Sequence, residues 1–69
     1  MKSPHDRHYE ALPHLPTPAE QVHAEARRRG GHYARHANHY AAIAERWYGR
    51  RPLLGEERQM MFDDVFRNG

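Results

Sequence analysis

Residues 17–48 read TPAEQVHAEARRRGGHYARHANHYAAIAERWY, and the way this stretch divides decides the fold. It opens on a helix start. Thr17 can cap, Pro18 suits the first helical position, and Glu20 completes a capping box. Ala19, Val22 and Ala26 then give an apolar side as far as Arg27-Arg28-Arg29, where basic residues followed by Gly30-Gly31 form a stop signal. From His32 to Tyr48 the chain is alanine-rich and free of proline and internal glycine. Gly49 suits a C-cap, and Pro52 bars continuation. Tyr33, Tyr40 and Trp47 recur at every seventh position with Ala37 and Ala44 between them, one apolar stripe that places Trp47 and Tyr48 in the core.

The same seven-residue step runs back through Ala26 and Ala19 and keeps its phase across Gly30-Gly31. Two architectures satisfy it. In one the chain turns at the glycines and makes a helical hairpin. In the other a single helix runs from Pro18 to Tyr48, at a cost of about 2 kcal/mol for two interior glycines. The kept phase favours continuity, the Arg-Gly-Gly signal a break. The stripe Ala19, Ala26, Tyr33, Tyr40, Trp47 is long for one short helix to cover, so a homodimer is among the expectations.

On the C-terminal side, Leu53-Leu54 leads into a helix over about 56–67. Glu56 and Glu57 stand in its first turn, where the helix dipole favours anions. Met61, Phe62, Val65 and Phe66 make one buried face, expected to pack on Tyr33, Tyr40, Ile43 and Trp47. On the N-terminal side, residues 1–17 carry Pro4, Pro13 and Pro16 and read as an extended or disordered arm, with Tyr9, Leu12 and Leu15 able to dock it. The fold class is therefore all-α: an arm over 1–17, then a small helical domain over 18–69 with two or three helices, about 18–29, 32–48 and 56–67.

Composition narrows the function. With 69 residues the chain is one domain at most, and such a domain buries only roughly 60% of its unfolded surface. It contains no cysteine, hence no disulfide and no thiolate metal site. The mean hydropathy is −1.14. No apolar run approaches the roughly 18 residues of a membrane span and no signal-peptide core is visible, so a cytoplasmic protein without a membrane partner is expected. The only serine is Ser3, in the arm, and there is no glycine-rich phosphate loop. Asp63 and Asp64 are adjacent, so on a helix they point about 100° apart and read as solvated charges rather than an acid–base pair. An enzyme is not expected.

Charge points to binding. Net charge is +2, and Lys2 is the only lysine among eleven basic residues. Residues 17–51 carry seven arginines against three glutamates, while residues 55–69 are net acidic, with two arginines against four carboxylates. Arg28, His32, Arg35, His39 and Arg46 fall on one helical stripe that can lie along phosphates or an acidic protein surface, with Tyr33 and Tyr40 beside it to stack on bases. Arg50 and Arg51 extend it. Arg27-Arg28-Arg29 and Arg50-Arg51 also suit helix C-termini, where cations complement the dipole. His32, His36 and His39, spaced i, i+4, i+7, lie within about 60° of one helix face and could chelate zinc or nickel; otherwise no cofactor is expected.

Tyr33, His36, Ala37, His39, Tyr40 and Ile43 spell Y-x-x-H-A-x-H-Y-x-x-I. This segment resembles a helix in a family of uncharacterised arginine-rich bacterial proteins, where it follows a basic, glycine-rich arm suggestive of RNA binding. The resemblance covers about eleven residues and implies no established activity; it adds to the nucleic-acid expectation. The sequence thus yields three functional expectations. The first is a small non-enzymatic protein contacting nucleic acid or a nucleoprotein through its Arg/His face. The others are an adaptor or inhibitor docking on a larger protein, and a histidine metal binder.

Overall fold

The computed structural model describes residues 15–69. Among these the chain forms helices only: α1 (Pro18–Arg29), α2 (Gly31–Arg35), α3 (Ala37–Tyr48) and α4 (Gly55–Asn68). No helix is long and apolar enough to cross a membrane among the described residues. Tyr9 and Leu12, and with them most of the expected arm, lie outside the described residues; Leu15 is exposed.

The α1 start forms as its sequence predicts. Thr17 Oγ1 accepts from the Glu20 N–H at 3.3 Å, and Glu20 Oε1 accepts from the Thr17 N–H at 2.9 Å. The helix ends at Gly30, whose φ of 74° and ψ of −174° lie in a region open essentially to glycine alone. Gly31 follows at φ 56°, also left-handed. The chain therefore breaks, and the hairpin is the architecture adopted. A second break interrupts the helix expected over 32–48: His36, at φ −112° and ψ 30°, leaves helical geometry and separates α2 from α3.

α1 returns antiparallel along α3. Near its start, Gln21 reaches the chain just beyond α3: its Nε2 donates to the Leu53 carbonyl at 2.8 Å and its Oε1 accepts from the Leu53 N–H at 3.4 Å. α4 runs antiparallel to α3, so that Gly69 lies by His39 and Asp64 by Tyr48. The core is Val22 and Ala26 from α1, Ala37, Tyr40 and Ala44 from α3, and Met61, Phe62, Val65 and Phe66 from α4. The predicted face of the last helix is thus the buried one. Tyr33, Ile43, Tyr48 and Leu53 pack around it. Alanine on the facing sides of α1 and α3 lets the two backbones approach, which is how so short a chain closes a core.

Trp47 corrects the sequence reading. It is 44% exposed, while Tyr48 is half-buried. A seven-residue step drifts about 20° per repeat on a straight helix, so Trp47 sits at the edge of the face centred on Ala37, Tyr40 and Ala44. The facing end of α4, residues 55–60, is exposed throughout and offers no cover.

Gln21 is the one buried polar side chain among the described residues, and its amide satisfies both backbone groups of Leu53. Gln21→Leu keeps the volume and strands those groups. We expect a loss of about 1–3 kcal/mol, read as a lower urea midpoint at unchanged slope.

Candidate functional site

Nine arginines fall within the described residues, and the structure sorts them into paired and unpaired. Arg28 and Arg29 share Glu25 at 3.8 and 3.1 Å, Arg50 pairs with Glu45 at 3.0 Å, and Arg67 with Asp63 at 3.2 Å. Arg29 is structural. Its guanidinium carbon lies 4.3 Å from the Phe66 ring centroid and 5.5 Å from that of Tyr33, fastening the end of α1 to α4 through cation–π contact. Arg27, Arg35, Arg46, Arg51 and Arg58 form no ion pair among the described residues, and all five are exposed.

The expected stripe is divided. The i, i+4, i+7 geometry behind it presumes one helix, and the breaks at Gly30 and His36 turn its members apart. Arg28 goes to a groove between α1 and α4 with Arg58 and Phe62. His32 and His39 line a shallow hollow with His36, Tyr40 and Gly69. Arg35 lines another, with His23 and Arg27 of α1, Ala34 of α2, and Ala37 and Asn38 of α3. Arg46 stands exposed on α3, and Arg50 and Arg51 follow it in the linker.

The histidine trio shares one hollow without forming a metal-holding group. Among the described residues no three His, Cys, Asp or Glu side chains are grouped to hold a metal ion. His32 Nε2 lies 2.9 Å from the Tyr40 hydroxyl and His39 Nε2 lies 3.3 Å from the Gly69 backbone oxygen, so each turns a ring nitrogen to a protein partner. His32 and His36 are neighbours, with ring centroids 4.8 Å apart. The stacking role expected of the tyrosines also fails. Tyr40 is buried, and Tyr33 is half-buried with its ring 5.2 Å from Phe66 in an edge-on contact.

Asp64 is not the solvated charge the sequence suggested. Tyr48 Oη donates to its Oδ2 and Asn68 Nδ2 to its Oδ1, both at 2.7 Å. The Tyr48 bond, then the Asn68 bond, hold the Asp64 carboxyl below its ordinary 3.8. Burial, then the bond to Asp64 and its charge, raise Tyr48 above 10.0. A depressed carboxyl contributes stability above its unfolded value, lost as pH falls through the lower folded value. A raised phenol contributes below its unfolded value, lost as pH rises through the folded one. Tyr48→Phe should therefore lower the melting temperature near neutrality, with the gap to wild type closing below pH 3.8 and again above pH 10.0. A gap that persists at both extremes would assign the loss to packing.

The hollow of Arg35 measures about 470 Å³, and no carboxylate lines it. The sequence reading gave no role to two of its members, His23 and Asn38, and set Arg27 at a helix C-terminus. His23 and Arg27 stand four apart on α1 and so share a face, which was legible. Their meeting with Arg35 and Asn38 required the turn at Gly30. Comparison of the chain with protein-family models, curated proteins and solved structures finds no match.

Proposed function

We propose that this protein is a non-enzymatic binding protein that grips the phosphate backbone of a nucleic acid through Arg27, Arg35, Arg46 and Arg51. The observation that supports this reading is their pairing state. These four arginines are exposed and free of ion pairs among the described residues, while Glu25, Glu45 and Asp63 are each committed to other arginines. A planar guanidinium left free in this way is suited to bidentate contact with phosphate. With Tyr33 and Tyr40 in or against the core, the contact is electrostatic rather than base-reading.

Fluorescence anisotropy with labelled single- and double-stranded oligonucleotides across a salt series tests this. Four neutralised phosphates on a duplex predict a slope of log K against log salt of about −3.6. Absence of binding at low salt, or a flat slope, overturns the reading. A second reading, docking on a protein, draws on the exposed Trp47, Leu54 and Met60. It predicts a partner retained after nuclease treatment and at high salt.

A further inference from the structure

The hollow between α1 and the start of α3 is built differently from the rest of the basic surface. Four polar side chains line it: His23 and Arg27 from α1, Arg35 from the end of α2, and Asn38 from the first turn of α3. None of the four makes a hydrogen bond or an ion pair among the described residues, whereas Arg28, Arg29, Arg50 and Arg67 all do. Two guanidinium forks, an amide and an imidazole therefore present unused donors to one volume of about 470 Å³. Its remaining lining is Ala34 and Ala37. Ala37 and Asn38 open a 12-residue helix whose start carries no side-chain cap.

Arg27 and Arg35 line one hollow without a counter-ion among the described residues, and a multiply charged oxyanion complements two such cations. Phosphate matches the donors better than carboxylate does, because three or four oxygens can face two forks and an amide at once. We propose that this hollow is a seat for one phosphate group. The seat stands on its own lining. It deepens the nucleic-acid reading, on which it rests for its source, by naming where one backbone or terminal phosphate would be held.

The test is a titration of the isotope-labelled full chain with inorganic phosphate, followed by amide and arginine Nε resonances. A short oligonucleotide with and without a 5′-phosphate is then titrated in the same way. The expected result is saturable shifts confined to His23, Arg27, Arg35, Ala37 and Asn38. Arg27→Gln and Arg35→Gln should each weaken phosphate by about tenfold, the loss of one charge-assisted contact. Arg58→Gln, an equally unpaired arginine outside the hollow, should leave it unchanged. All three side chains are exposed, so the folds should persist, and the spectra themselves report this. Preference for the 5′-phosphorylated oligonucleotide assigns a terminal group as the source; equal shifts assign a backbone phosphate. Non-saturating shifts spread over every arginine, or equal losses in Arg58→Gln, overturn the seat. Oligonucleotide binding indifferent to Arg27→Gln and Arg35→Gln overturns it while leaving the nucleic-acid reading intact. Saturable phosphate without oligonucleotide binding upholds the seat and overturns that reading.

Discussion

Phe66→Ala is expected to abolish cooperative folding. Phe66 is 7% exposed and meets four partners: Tyr33, Tyr40 and Phe62, at centroid distances of 5.2, 5.1 and 6.2 Å, and the Arg29 guanidinium at 4.3 Å. It is the point at which α1, α2, α3 and α4 all touch one side chain. Truncating a buried phenylalanine costs about 3–5 kcal/mol. A domain of this size holds only about 3–8 kcal/mol in total. The loss therefore takes most or all of the stability. Near-ultraviolet circular dichroism should lose its tyrosine and tryptophan signal, and thermal melting should become broad. Met60→Ala, nearly two turns away on the solvent side of α4 and 69% exposed, should stay within about 0.5 kcal/mol of wild type. A sharp transition in Phe66→Ala would show that the helical hairpin holds without its cross-brace.

The second large effect concerns the turn. Gly30→Ala with Gly31→Ala is expected to open the hairpin and produce a domain-swapped dimer. An alanine at the backbone angles of Gly30 and Gly31 costs roughly 2–5 kcal/mol over the two positions. In a continuous helix the same two alanines gain about 2 kcal/mol over glycine. The apolar phase of Ala19, Ala26, Tyr33 and Tyr40 already runs through the junction, so nothing in the flanking pattern resists straightening. Once α1 swings away, Val22 and Ala26 lose Ala37, Tyr40 and Ala44, and a second copy restores those contacts in trans. Sedimentation velocity should show twice the wild-type mass at micromolar concentration, with helicity equal or higher. A variant of unchanged mass with a lowered melting temperature would show that the turn tolerates alanine.

The same junction marks how far the sequence could be read. Signals that act within one helical turn were legible and correct: the Thr17–Glu20 box, the cap at Gly49, and the buried face Met61, Phe62, Val65, Phe66. Their energies are set by neighbours three or four residues away, which the chain order states directly. Opposed local terms at Gly30 were nearly balanced, so only the packing of α1 on α3 selected the hairpin. The break at His36 carried no glycine or proline to announce it. It removed the regular spacing on which the Arg/His stripe depended, sending Arg35 to a different hollow from His32, His36 and His39. Trp47 fell outside the core because burial followed the straight-helix period rather than the heptad, and because α4 leaves that edge uncovered. The meeting of His23 and Arg27 with Arg35 and Asn38 joins residues on opposite sides of a turn. Juxtaposition of that kind belongs to tertiary structure, since no spacing along one helix produces it.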